Sequence, residues 1–248
     1  MDVLKENKAE VLLAERSGMG DTKVVLREMG VFELALRKGF DVIVLDELKA
    51  KDFVRINFDG SHWKNGFLFP KVFDHADAVV QTCCLKTHRF GGHFTLSLKN
   101  SVGMIAKFDP ESGYNYMSEL HSSIHMRKMI AEINVSYHPE FVILDAIKGF
   151  STGGPERGKV IEPKLVLASR DRIAIDAVGV AILRLYGTTR EVSRGSVFEQ
   201  EQIARAAELG LGAKGPEEVE VVPLNEGAED VCGRIEMELN SVSLGLST

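Results

Sequence analysis

Short apolar runs alternate along this chain with longer stretches in which apolar residues recur every three to four positions. The run 10–14 (EVLLA), the helical period over 22–38 and the run 41–46 (DVIVLD) together predict a strand–helix–strand unit. Residues 53–69 alternate apolar and polar and turn at Asp59-Gly60, the pattern of a hairpin or an irregular excursion. Further on, a short helix is expected over 70–75, a strand over 76–85 (ADAVVQTCCL) and helices over 93–104 and 118–135. Strands over 140–146 and 163–168 lead to a largely buried helix over 172–186. A helix over 199–209 stops at Gly210, and a last strand is expected over 218–222. This order predicts an α/β fold: three layers, a mostly parallel or mixed sheet with helices on both faces, Rossmann-like in the broad sense. No repeat, low-complexity tract or linker divides it, so residues 1–248 read as a single α/β domain.

Charge narrows the ligands. Thirty Lys and Arg stand against 36 Asp and Glu, a formal charge of −6, so nothing draws the chain as a whole to nucleic acid or anionic lipid. An anionic ligand must be caught locally. No apolar run is long enough to cross a membrane, and the charged start MDVLKENKAE lacks the apolar stretch of a secretory signal, so a cytoplasmic location is expected. The three cysteines, Cys83, Cys84 and Cys232, contain no Cys-x-x-Cys pair, which leaves no disulfide framework and no iron–sulfur cluster held by this chain alone.

Candidate chemistry sits in the loops that follow apolar runs, where open α/β sheets place ligands. After the first run comes Glu15-Arg16-Ser17-Gly18-Met19-Gly20-Asp21-Thr22. Ser17, Gly18 and Gly20 are candidate anion contacts ahead of a helix start, although the dinucleotide glycine spacing fails at Lys23. The densest cluster is Lys86-Thr87-His88-Arg89-Phe90-Gly91-Gly92-His93, continuing to Lys99-Asn100. Its cations and paired glycines suggest an anion pocket, with Lys86, His88 and Lys99 as catalytic candidates and Arg89, Gly91, Gly92 and Asn100 as binding candidates. On a continuous helix His121 and His125 share a face, and with His93 they are candidate ligands for a divalent metal; Ser122 rules out the metalloprotease pattern. Asp145 ends the run FVILD where a carboxylate can orient a base, and Gly153 and Gly154 follow in a loop that can wrap a ligand. Asp171 reads as a helix N-cap and Asp176 as a buried carboxylate bonded to a neighbouring loop. Cys83 and Cys84 read as small strand hydrophobes rather than nucleophiles.

The segments CCLKTHRFGGHFTLSLKNSVGMIAK (83–107), ELHSSIHMRKMIAEIN (119–134), VILDAIKGFSTGGPERG (142–158) and ASRDRIAIDAVGVAILRLYG (168–187), with ERSGMGDT (15–22), resemble the family known as domain of unknown function 362. The resemblance groups the Lys-Thr-His loop, the Lys-Asn pair, the helix histidines, Asp145, Gly-Gly-Pro and the pair Asp171 and Asp176 as one site, without naming a reaction. It also implies that relatives begin with a further strand and helix, a portion this chain is expected to lack. Some longer relatives carry ferredoxin-like segments, whose cysteines are absent here. The leading expectation is an enzyme acting on a small anionic molecule through a Lys/His/Asp pocket, with or without a divalent metal, its reaction class open. The alternatives are a redox or cofactor-linked module served by an iron–sulfur partner on another chain, and a ligand-binding protein without turnover. Either a homo-oligomer or a complex with a redox partner is compatible with the sequence.

Overall fold

A computed structural model describes residues 2–241. The first strand–helix–strand unit forms as its pattern predicts: β1 (Leu12–Glu15) and β2 (Asp41–Val44) pair in parallel, Leu12 opposite Asp41, after a short N-terminal helix α1 (Asp2–Glu6). The crossover is two helices, α2 (Thr22–Glu28) and α3 (Val31–Lys38), instead of one. Gly30 adopts a left-handed backbone (φ 71°) that glycine tolerates and that interrupts the helical path. Asp21 starts α2 by accepting a bond from the Val24 N–H at 2.9 Å.

The alternating stretch becomes the antiparallel pair β3 (Phe53–Ile56) and β4 (Phe67–Pro70), and the expected helix after it shrinks to a single 3₁₀ turn at Lys71–Phe73. The intervening excursion is pinned by the buried Trp63, whose Nε1 donates to the Met129 carbonyl at 3.2 Å. Next come β5 (Val80–His88), β6 (His93–Thr95), α4 (Ser97–Asn100), α5 (Tyr116–Ser122), α6 (Met126–Ile133) and the long β7 (Phe141–Gly153). β8 (Gly158–Ile161), β9 (Leu165–Ser169), α7 (Arg172–Leu185), α8 (Arg190–Ser193), α9 (Glu201–Glu208) and α10 (Glu229–Leu239) complete the chain. The result is an α/β fold of layered helices and open, mixed sheets.

Three expectations change. The helix over 93–104 begins only at Ser97, because His93 takes a left-handed backbone (φ 63°) and residues 93–95 fold back on β5, His93 opposite His88. The helix over 118–135 breaks at Ser123, whose backbone is extended, so His121 and His125 do not share a helix. Residues 218–222 pair with no strand; a 3₁₀ turn at Pro216–Glu218 precedes them.

The main sheet runs β6-β5-β7-β8, with β9 also on β7; only β5 and β7 are parallel. Along β5 burial alternates, so Gln81, Cys83 and Leu85 point into a core shared with α7, of which Ile173, Ala177, Val180 and Ala181 are fully buried. The opposite face carries the exposed Val80, Cys84, Phe141, Asp145 and Val166, while α4 and α7 pack on the face of Gln81, Cys83 and Leu85. A second core joins β3 and β4 to α5, α6 and residues 102–106.

Asp171 caps α7 through the Ile173 and Ala174 N–H groups at 2.7 and 3.0 Å, as its sequence position predicts. Asp176, one turn and a half later, is fully buried and caps a different helix: its two oxygens accept from the N–H groups of Ser97 and Leu98 at 2.7 and 3.0 Å. The core helix therefore fixes where α4 starts, and α4 carries Lys99.

Candidate functional site

Side chains from four elements lie near the carboxyl ends of β1 and β5, close enough for their charges to act on one another. β5 supplies Lys86 and His88, α4 supplies Lys99, α5 supplies His121 at the rim, and Glu15 with Arg16 ends β1. Gly92 is the floor between them: a side chain starting there would lie 2.6 Å from Lys99 Cε and 2.9 Å from His88 Nδ1. Only a residue without Cβ lets the lysine and the imidazole approach this stretch of backbone.

Lys99 is 8% exposed and makes no hydrogen bond or ion pair among the described residues, and Lys86 makes none either. Burial first, then the charges of Lys86 and Arg16, push the Lys99 ammonium down to about 8. His88 is equally buried. Its desolvation, helped by the charges of Lys99, His121, Lys86 and Arg89, pushes it down to about 3, so the imidazole is neutral at physiological pH. Its Nδ1 is buried without a hydrogen-bond partner. Uncompensated cations beside an unsatisfied ring nitrogen are the arrangement that an oxyanion with hydrogen-bonding oxygens would complete.

Arg16 is buried in the same place but its charge is already used. Its Nε donates to the Ile105 carbonyl at 3.1 Å and its Nη2 to the Val102 carbonyl. Glu15 is exposed by surface area yet hemmed in by protein, and desolvation raises its carboxyl against the pull of Arg16 and Lys86. These two residues are missing from the sequence-derived site, although their position at the end of the first strand is the available signal.

The remaining candidates have structural employment or face elsewhere. Arg89 is bound to Glu156 and to the Gly154 carbonyl at 3.1 Å, tying its turn to the loop after β7. Asn100 donates to the Thr82 carbonyl at 3.1 Å, anchoring α4 on β5. Gly153 and Gly154 serve backbone contact, since a side chain at Gly154 would sit 2.0 Å from the Thr87 carbonyl oxygen. Gly91 packs its backbone toward the Met126 sulfur, and its carbonyl accepts from Arg127 at 3.0 Å. Ser17 bonds within its own turn, its N–H donating to Thr22 Oγ1 at 3.0 Å; Thr22 in turn donates to Asp46 at 2.5 Å, and Gly18 and Gly20 complete the turn.

Asp145 lies apart. It projects from the exposed sheet face beside Cys84 and accepts from the Ile147 N–H at 2.9 Å, while a bulge takes the register from Cys84 opposite Asp145 to Lys86 opposite Phe150. The three histidines considered for metal also diverge. His93 faces Arg127, Glu191 and Glu201; His121 Nδ1 bonds the Met117 carbonyl at 2.8 Å; His125 packs against His62, ring centroids 4.5 Å apart and planes tilted by 48°. Among the described residues no three His, Cys, Asp or Glu side chains are grouped to hold a metal ion. Cys83 is buried and its thiol is pushed up by desolvation, which leaves it a core residue.

A family model described as "Domain of unknown function (DUF362)" matches residues 1–181. The chain belongs to that family. No curated protein and no solved structure matches it. The DUF362 match contains every residue of the Lys86, His88, Lys99 cluster, while α8, α9 and α10 lie beyond it. Those later helices still touch the site of this DUF362 chain: Gln202 on α9 donates to the carbonyls of Gly92 and Phe94, the latter at 3.3 Å, and so holds the floor of the cluster.

Proposed function

We propose that this chain is a cytoplasmic enzyme that binds a small anionic substrate between Lys86 and Lys99, beside the neutral imidazole of His88. The observation that carries the reading is that, among the described residues, no carboxylate forms an ion pair with either of two neighbouring ammonium groups, one of them nine-tenths buried, beside an imidazole nitrogen without a partner; Glu15 is near enough to feel the charge of Lys86 but is not bonded to it. Structural lysines are seldom buried unpaired, because desolvating the charge is costly unless a ligand repays it. A neutral imidazole held so far below its usual proton affinity is a weak base, and it serves a bound substrate as a hydrogen-bonding group. In this reading residues 1–248 act as one unit, since α9 braces the loop that forms the floor. Asp145 and the three divergent histidines are left out of the mechanism. No helix among the described residues is long and apolar enough to cross a membrane, in keeping with a water-borne substrate.

Isothermal titration with inorganic phosphate tests the site. Saturable binding is expected, weakened at least tenfold, about 1.4 kcal/mol, by Lys86→Ala and untouched by Asp145→Asn. Phosphate that fails to bind, or binds equally well to Lys86→Ala, refutes the proposal.

A further inference from the structure

We propose that Lys99 is a nucleophile that forms an imine with the carbonyl carbon of a small 2-oxo acid whose carboxylate is held by Lys86. The inference rests on the anion site proposed above and names its substrate class. Two exposed lysines would suffice for an electrostatic clamp. Here one of the pair is only 8% exposed at the end of α4, its position fixed by Asp176 beneath the helix start, with the second ammonium near enough for its charge to be felt and no carboxylate bonded to either. Burial beside a like charge weakens a clamp but frees an amine lone pair, the environment in which lysines attack carbonyls. The depressed proton affinity of Lys99 is in keeping with this geometry, since a substantial neutral fraction exists near neutral pH.

The two cations then have different tasks. Lys86, part-exposed at the end of β5, meets the carboxylate, and the adjacent carbonyl carbon meets the nitrogen of Lys99, whose stem packs over the bare backbone of Gly92. The nitrogen lone pair forms the C–N bond while the carbonyl π electrons move to oxygen. One amine proton passes to that oxygen, giving a carbinolamine. The C–O bond then breaks and the second amine proton leaves with the hydroxyl group, so both protons of the neutral amine depart in one water molecule and the imine remains. No oxidant, reductant or metal is consumed.

The test traps the imine in the full-length chain with pyruvate and sodium cyanoborohydride, followed by peptide mapping by mass spectrometry. Acetone, which lacks the carboxylate, serves as the neutral control. The expected result is reduced adduct at Lys99, at least tenfold above exposed lysines such as Lys51 and Lys159, with pyruvate but not acetone, and suppressed by inorganic phosphate. Lys99→Arg is expected to lose that label while retaining a wild-type circular dichroism spectrum. Should the variant unfold, phosphate protection of Lys99 in the wild-type chain decides the question. Label spread evenly over exposed lysines, or equal labelling by acetone, overturns the imine. If phosphate still binds while Lys99 stays unlabelled, the anion site survives without this chemistry; if phosphate does not bind either, both readings fall.

Discussion

Replacing Lys99 by methionine is expected to make the protein more stable and unable to hold an anion. The methionine chain matches the lysine stem in length and packs without a charge. In the folded protein the ammonium is held at about 8 against an ordinary 10.5, which at 1.36 kcal/mol per unit costs the protonated folded state about 3 kcal/mol. Between those two values the unfolded chain binds the proton and the folded chain does not, so the cost is full below pH 8, declines as pH rises, and vanishes above 10.5. Urea unfolding followed by circular dichroism at pH 7 and at pH 10.5 measures the difference between variant and wild type at each pH. Lys99→Met is expected to be more stable by up to about 3 kcal/mol at pH 7, with the gain lost at pH 10.5 and phosphate binding abolished at both. A variant less stable than wild type at pH 7 would refute the reasoning, because it would mean that the ammonium has a stabilising partner. A gain in stability bought with lost binding is the signature of a residue kept for function.

His88, held down to about 3 by burial and neighbouring cations, is expected to destabilise the fold in acid: between about pH 6.5 and 3 the unfolded chain takes up a proton that the folded chain refuses. Thermal melts over that range should show His88→Gln losing less stability than wild type, and parallel losses would contradict the assignment. Gly92→Ala puts a methyl group 2.6 Å from Lys99 Cε and 2.9 Å from His88 Nδ1, so phosphate affinity measured by calorimetry should fall at least tenfold while the fold persists. Glu132, fully buried, accepts from the His62 ring at 2.6 Å and from Arg205 at 3.0 Å, joining the 57–66 excursion to α9. Glu132→Gln should cost about 3–5 kcal/mol in urea unfolding, the scale for breaking a buried pair, and a loss below 1 kcal/mol would show the network to be dispensable.

Features set by nearby residues were legible in the sequence. The β1–β2 unit and the cap at Asp171 follow from local pattern; the strand read as ending at Leu85 runs on to His88, so Lys86, Thr87 and His88 belong to β5. The breaks were not, because they depend on distant partners. A continuous helix over 118–135 would set Ile124 one turn after the buried Leu120; the extended Ser123 instead leaves Ile124 82% exposed and lets Met126, Met129 and Ile130 fill the second core. The start of α4 is fixed by Asp176, which lies 79 residues after Ser97.

The candidate site divides in the same way. Sequence shows Arg16, Lys86, Arg89 and Lys99 alike as cations near glycines, but it does not show which of them the protein has already satisfied. Folding gives the guanidinium of Arg16 two backbone carbonyls and that of Arg89 the carboxylate of Glu156, while the two lysines receive nothing. A guanidinium spreads several donors in a fixed plane and is readily absorbed by backbone and carboxylate oxygens; an ammonium on a four-carbon stem is a point charge that this fold leaves to something outside itself. The functional distinction among these cations is thus a property of their unmet valences, which arise only when β1, β5 and α4 are brought together.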